Sequence, residues 1–93
     1  DDYSFARTHI PVVLARYGDE NLVSRSQAKR LLTRFNRFRE IVLDFKGIET
    51  IGQAFADEIF RVFTVENPKI RINWVNAKEQ VEKMINRAKS SEK

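Results

Sequence analysis

The chain has 93 residues, of which 42% are hydrophobic and none is cysteine, and its 17 Lys and Arg outnumber its 13 Asp and Glu to give a net charge of +4. This size permits one small core and excludes two domains, and the missing cysteines exclude thiol catalysis, disulfides and cysteine-ligated zinc. No apolar run approaches the ~18 residues of a membrane span, so we expect a cytoplasmic protein without a membrane partner. The chain lacks an initiator methionine, and we expect a single domain, residues 1–93, that belongs to a longer protein.

The first predicted element is a β-strand. From Thr8 to Tyr17 the sequence is rich in β-branched and apolar residues, and turn residues follow from Gly18 onward. Pro11 has no N–H to donate to a strand ladder. We therefore expect this strand at an edge of the sheet.

A basic helix is predicted next, over about residues 24–38. Ser24 and Gln27 have the spacing of a capping box, in which each side chain bonds the backbone amide of the other residue. The apolar residues of this segment fall on one helical stripe: Ala28, Leu31, Leu32, Phe35 and Phe38. Six cations and no acidic residue lie between positions 25 and 39: Arg25, Lys29, Arg30, Arg34, Arg37 and Arg39. The pattern predicts a helix that packs one stripe on the sheet and exposes a basic patch.

The middle of the sheet is predicted between Glu40 and Phe45. This segment contains Ile41, Val42 and Leu43 in direct succession. Three consecutive branched apolar residues favour a central strand that is covered on both faces.

A second, more deeply buried helix is predicted over about residues 51–65. Thr50 and Gln53 repeat the capping-box spacing at its start. Its apolar residues form a broad arc: Ile51, Phe55, Ala56, Ile59, Phe60, Val62 and Phe63. Gln53, Asp57 and Arg61 lie outside this arc, whereas Glu58 lies on its border.

The last two predicted elements are a half-buried strand and a third helix. Apolar and polar residues alternate from Lys69 to Val75, and Asn76 and Glu79 have the spacing of a third capping box for a helix over about 76–88. The polar residues 89–93 are expected to fray. The order β-α-β-α-β-α predicts an α/β fold in two or three layers, with a small parallel or mixed β-sheet and about three packed helices.

Three motifs carry a resemblance to a known family. They are Ser24 to Leu32 (SRSQAKRLL), Leu43 to Phe45 (LDF) and Ile51 to Arg61 (IGQAFADEIFR). The segment from Arg39 to Phe63 resembles the strand, loop and helix core of STAS domains, the fold of sulfate transporters and anti-sigma-factor antagonists. More closely, the chain from about Phe5 to Ala88 resembles the bacterial STAS-like domain family of unknown function, and this implies the same α/β fold.

The resemblance also implies a function in protein interaction. Members of this family look like modules of larger bacterial proteins, some of which carry a histidine-kinase-like ATPase domain or a DNA-binding domain. In STAS-type regulators the loop and helix after the central strand look like the partner-binding face, which corresponds here to Gly52, Gln53, Asp57 and Arg61. Asp44, at the end of the preceding strand, and Glu58 complete the predicted docking residues.

The same loop departs from the family's regulatory members. Anti-sigma-factor antagonists carry Asp-Ser-Ser-Gly there, and a serine accepts phosphate from a partner kinase. This chain has Gly52, Gln53, Ala54 and Phe55 at those positions, so the phosphoacceptor serine is missing. Thr50 is the nearest hydroxyl, and we expect it to cap the helix. The prediction is docking without phosphorylation in this loop.

Elementary chemistry weighs against an enzyme. His9 is the single histidine and is expected to be a surface imidazole, because general-base catalysis needs a nucleophile and an orienting acid within reach. No cofactor or metal is expected. The loop 44–53 follows a central strand, where α/β sheets collect anions or nucleotide phosphates, but neither glycine-rich phosphate-binding motif occurs.

Two charged positions of the second helix have ordinary structural interpretations. Asp57 and Arg61 are four residues apart, the spacing of a surface ion pair. Glu58 is expected to find a backbone amide, Asn73 or an arginine.

Two functional hypotheses follow. The first is a non-enzymatic module that docks a partner protein or a neighbouring domain through the loop and helix 44–61, with a kinase-like ATPase as one candidate partner. The alternative is a nucleic-acid-binding accessory domain that uses the basic helix 25–39, for which the clustered cations would give a steep salt dependence.

Overall fold

The computed structural model describes residues 5–18, 20–33 and 37–90. The elements along the chain are β1 (Phe5–Pro11), a 3₁₀ helix (Val12–Ala15), α1 (Arg25–Leu32), β2 (Phe38–Asp44), α2 (Gln53–Asp57), a π-helix (Glu58–Phe63), α3 (Thr64–Glu66), β3 (Arg71–Val75) and α4 (Glu79–Ser90). The segments α2, π-helix and α3 follow one another without a break, and residues 53–66 are called the central helix below. The predicted alternation of strands and helices is confirmed.

The sheet is parallel, with the strand order β1-β2-β3. β1 therefore lies at an edge and β2 in the middle, as the sequence predicts. Both crossovers step in the same direction across the sheet, and right-handed crossovers in one direction place their helices on the same face. The central helix packs between α1 and α4 on that face.

The core lies between this face of the sheet and the helices. Ile41 and Leu43 of β2 are fully buried there, in one cluster with side chains of α1, the central helix and α4. Trp74 of β3 closes one side of the core, with its ring edge-on to Phe60 at 5.5 Å and its indole N–H donating to Glu82 Oε2 at 3.0 Å.

The opposite face of the sheet carries no helix among the described residues, yet the expected burial of the central strand on both faces is confirmed at Ile41, Val42 and Leu43. The strand register places three rows of side chains on this helix-free face: Arg7, Glu40 and Arg71; His9, Val42 and Asn73; Pro11, Asp44 and Val75. Val42 is nevertheless only 6% exposed, flanked in register by His9 and Asn73. The described domain has two layers.

The first strand is shorter than predicted. It ends at Pro11, whose in-register partner Asp44 is the last residue of β2, and Val12–Ala15 turns away as a 3₁₀ helix. The apolar run continues to Ala15, but a strand cannot extend beyond its ladder partner. Val12 and Ala15 are buried in the core instead.

The basic helix is also shorter than predicted. α1 ends at Leu32, and Phe38 and Arg39 belong to β2, where Phe38 pairs in register with Phe5. Pairing with β1 overrides the helical spacing of the aromatic residues. Arg34 and Phe35 lie outside the described residues.

Two of the three predicted capping boxes are wrong. The central helix begins at Gln53 with Gly52 as its N-cap and no side-chain cap, because Ile51 is extended in a bridge with Leu22 and the Gly52 N–H donates to the Leu22 carbonyl at 2.8 Å. α4 begins at Glu79, three residues after Asn76, and continues to Ser90, so Lys89 and Ser90 are helical and not a frayed tail. Residues 91–93 lie outside the described residues.

Candidate docking surface

The outer side of the central helix presents a polar strip of three predicted docking residues. The Gln53 side-chain amide donates to Asp57 Oδ1 at 3.2 Å, and Asp57 Oδ2 lies 3.5 Å from an Arg61 nitrogen. The residues are four apart, so each lies one turn beyond the last on the same side of the helix. The predicted Asp57–Arg61 ion pair is confirmed. These three residues are called the outer strip below.

Exposed apolar side chains lie beyond both ends of the outer strip. Val23 is 53% exposed and packs where the central helix begins, and Val65, four residues after Arg61, is 69% exposed. Apolar residues interspersed with hydrogen-bonding groups are the usual composition of a protein interface. The sequence patterns above did not single out either valine.

Glu58 lies beside the outer strip and faces α1. It is 7% exposed, and its Oε1 lies 3.6 Å from Nε of Arg25, the first residue of α1. Of the partners expected for Glu58, namely a backbone amide, Asn73 or an arginine, the structure shows an arginine. The π-helical winding widens the buried side of this segment, so that Glu58, Ile59, Phe60 and Phe63 all turn inward. Glu58 therefore joins two helices and is not available as a free carboxylate.

Gly52 has a packing role. A Cβ on Gly52 would lie 2.9 Å from Val23 Cα, closer than real Cβ atoms approach a backbone atom. Only glycine lets the start of the central helix lie against Val23. The sequence predicted Gly52 as a docking residue, and the structure places it beneath the exposed Val23.

Asp44 lies apart from the outer strip. Its side chain is in register with Pro11 and Val75 on the helix-free face of the sheet, and it accepts hydrogen bonds from the Asn76 side chain at 2.9 Å and the Lys46 N–H at 3.0 Å. The Asn76 hydrogen bond, followed by that of Lys46, lowers the pKa of Asp44 below its ordinary value. Asn76 has a φ of +58°, which asparagine tolerates better than most residues. Asp44 joins the ends of β2 and β3.

The basic patch does not form one helical surface. Arg25 is paired with Glu58, and Arg30 donates to the Ala15 carbonyl at 2.8 Å, lies 3.3 Å from Glu20 and stacks 4.0 Å above the Tyr17 ring. Lys29 is exposed on α1, whereas Arg37 precedes β2 and Arg39 lies within it. The described cations are therefore divided between the helix and the strand.

Thr50 is exposed and does not cap the central helix. It lines two cavities: one of about 430 Å³ with Gln80, Lys83, Met84 and Arg87, and one of about 90 Å³ on the side of Arg16. Lys83 and Arg87 are four apart on α4, a spacing that could have been recognised in the sequence as a shared face. Neither cavity was predicted from the sequence, because Thr50 was expected to cap the helix.

The topology of the sheet does not favour anion or nucleotide binding at the end of the central strand. Open α/β sheets bind ligands where the strand order reverses and helices on opposite faces part. The order β1-β2-β3 has no reversal. Among residues 5–18, 20–33 and 37–90, no group of three His, Asp or Glu side chains is arranged to hold a metal ion, and no helix has the length and apolarity to cross a membrane.

His9 is exposed on the helix-free face of the sheet, as expected for a surface imidazole. Its in-register partner is Val42. The face that carries His9 is opposite to the helices, so the imidazole is remote from the outer strip.

Comparison with known families agrees with this architecture. Residues 27–82, more than half of the chain, match the family described as a STAS-like domain of unknown function (DUF4325). No curated protein and no solved structure matches the chain. The matched region begins in α1 and ends in α4, and so contains the central strand, the central helix and the outer strip. The chain belongs to this STAS-like domain family.

Proposed function

We propose that this domain is a non-enzymatic docking module, which binds a partner protein or a neighbouring domain of its parent chain through the outer face of the central helix. The observation that carries the proposal is the outer strip: a hydrogen bond and an ion pair join Gln53, Asp57 and Arg61 in one row between the exposed Val23 and Val65. A surface ion pair at this spacing stabilises a helix by only ~0.3–0.5 kcal/mol. The Asp57–Arg61 ion pair therefore contributes little to the stability of the fold.

The charges beside the outer strip favour a partner with an acidic surface. Arg25, which pairs with Glu58 and has its side chain 66% exposed, flanks the strip from α1, and Arg87 lines the cavity of about 430 Å³ on the α4 side. Complementary charges speed association and suppress wrong partners. A histidine-kinase-like ATPase is the partner class that the family resemblance favours, and we propose it as the first partner to test.

The proposed interaction includes no phosphoryl transfer to this loop. Gln53 and Ala54 occupy the positions of the family's acceptor region, and neither side chain has a hydroxyl. Because Thr50 is exposed and does not cap the helix, its hydroxyl is the group to monitor. Intact-mass spectrometry after incubation with ATP and the ATPase should show an unchanged mass, and a phosphate on Thr50 would contradict docking without modification.

Calorimetric titration of the ATPase with charge-reversed domains tests the proposed surface. The variant D57R/R61E keeps opposite charges four residues apart, so its stability should remain within about 0.5 kcal/mol, but it inverts the pattern that the partner meets. We expect binding to weaken by about tenfold or more. The matched control R7E/E40R inverts the 3.3 Å ion pair on the helix-free face and should bind like the original domain.

Three results would count against the proposal. Loss of binding in the R7E/E40R control alone would assign the interface to the helix-free face of the sheet. No binding by the unaltered domain would show that the ATPase is the wrong partner class. Binding of duplex DNA that weakens steeply with salt would favour the nucleic-acid alternative instead.

A further inference from the structure

We propose that the small cleft beside Arg16 binds a phosphate group. The cleft has a volume of about 90 Å³ and lies between the segment that follows the 3₁₀ helix and the loop that follows β2. Its lining residues are Arg16, Glu20, Asn21, Leu22, Ile48, Glu49 and Thr50. This binding site is separate from the outer strip and does not depend on the proposed docking.

Arg16 supplies the cation. Its Nε is buried and has no hydrogen-bond partner, and Arg16 forms no ion pair among the described residues. Nε itself is closed to solvent, so a ligand in the cleft would contact the terminal guanidinium nitrogens of Arg16, which have no hydrogen-bond partner among the described residues and are not buried. The guanidinium presents its N–H groups as a planar fork that matches the oxygens of a phosphate.

The two carboxylates of the cleft are already neutralised by other cations. Glu20 accepts hydrogen bonds from the Tyr17 N–H at 3.1 Å and from Arg30 at 3.3 Å, and Glu49 lies 2.7 Å from Nζ of Lys78. The Tyr17 N–H is the largest of the causes that lower the pKa of Glu20. Because each glutamate has another cation beside it, the Arg16 guanidinium is the charge without a charged partner among the described residues of the cleft.

The size and polarity of the cleft fit a phosphate group. A volume of about 90 Å³ corresponds to roughly three water molecules at ~30 Å³ each, which is comparable to a tetrahedral oxyanion. Thr50 and Asn21 also line the cleft, and a hydroxyl and a side-chain amide can each donate a hydrogen bond. The cleft opens to solvent, so a phosphomonoester can place its phosphate at Arg16 and leave the remainder outside.

Titration of the ¹⁵N-labelled domain with inorganic phosphate at constant ionic strength tests this site. We expect saturable shifts of the Asn21, Leu22 and Thr50 amides, and a Kd that rises about tenfold or more in Arg16→Gln. Arg16→Lys keeps the charge but loses the planar fork, and should bind with an intermediate Kd. The control Arg71→Gln, at an exposed position of β3 outside both cavities, should bind phosphate like the unaltered domain.

The outcomes are distinguishable. Well-dispersed spectra of both Arg16 variants establish that they are folded. If Arg16→Gln does not fold, the Kd of Arg16→Lys alone is compared with that of the unaltered domain. A phosphomonoester that binds at least as tightly as inorganic phosphate identifies an organic phosphate as the ligand, and tighter inorganic phosphate identifies the free ion. Shifts that do not saturate, equal shifts with sodium chloride, or an unchanged Kd in both Arg16 variants would overturn the proposal.

Discussion

Glu58 Oε1 of the central helix lies 3.6 Å from Arg25 Nε at the start of α1, and the two residues differ greatly in exposure. The Glu58 side chain is 9% exposed and the Arg25 side chain 66%. The pair joins a nearly buried carboxylate to a cation at the surface, so removal of Arg25 would leave Glu58 without its partner. This relationship links the basic helix of the sequence, α1, to the central helix.

The first prediction concerns the energy of this pair. Arg25→Gln should lower the free energy of unfolding by about 0.5–1.5 kcal/mol, because Glu58 keeps its charge and loses its partner. A double-mutant cycle with Glu58→Gln, measured by urea denaturation, isolates the interaction. The matched cycle of Asp57→Asn and Arg61→Gln should give a smaller coupling energy, about 0.3–0.5 kcal/mol. Equal coupling energies in the two cycles would contradict the special role of Glu58.

The second prediction concerns Gly52. Gly52→Ala should destabilise the domain by about 1–3 kcal/mol, because the new Cβ would meet the Val23 backbone at 2.9 Å. Gly18→Ala is the comparison: Gly18 has a φ of +61° but nothing within 4 Å of a Cβ, so the cost there is conformational alone, about 1 kcal/mol. Thermal and urea denaturation measure both. A Gly52→Ala variant as stable as the original domain would show that the close approach is not required.

The third prediction separates a real capping box from an apparent one. Ser24 accepts from the Gln27 N–H at 3.2 Å, and Gln27 Oε1 accepts from the Ser24 N–H at 2.9 Å. Ser24→Ala should therefore cost about 1 kcal/mol of stability. Thr50→Ala should change stability by less than about 0.5 kcal/mol, because Thr50 caps no helix. Equal losses in the two variants, measured in the same urea titration, would refute the distinction.

This contrast shows how far local sequence determined the fold. Ser24-x-x-Gln27 and Thr50-x-x-Gln53 have the same spacing, and only the first forms the box. The second fails because Ile51 is held extended by its bridge to Leu22, a contact between residues 29 positions apart. Capping rules describe local chemistry and contain no information about such a bridge.

Other expectations succeeded where local and tertiary preferences agree. The run from Ile41 to Leu43 predicted the central strand, and Pro11 predicted the edge position of β1. The strand order and register confirm both. The end of α1 and the helix-free face were not predictable, because both depend on how β2 pairs with its neighbours. Within the outer strip, helical spacing alone placed Gln53, Asp57 and Arg61 together. Asp44 was assigned to the same site because it lies near in sequence, but it is on the other face of the sheet.

The fourth prediction concerns acid stability. The hydrogen bonds from Asn76 and then Lys46 lower the pKa of Asp44 from its ordinary value of 3.8, so the folded state favours its ionised form. The resulting stabilisation is fully present above pH 3.8 and is lost as the pH falls below that value through the lowered pKa. Asp44→Asn preserves the shape without the charge. The free energy of unfolding of this variant should fall less steeply with acid than that of the original domain, and an identical pH dependence would contradict the assignment.

The most direct measurement of the docking surface is the footprint of the ATPase on the ¹⁵N-labelled domain, mapped by amide chemical shifts and line broadening. We expect the affected amides to cluster on the outer face of the central helix, at Val23, Gln53, Asp57, Arg61 and Val65. Arg7, His9 and Asn73, on the helix-free face of the sheet, should be unaffected. A footprint confined to those three residues and their neighbours would contradict the central claim and assign the docking surface to the open face of the sheet.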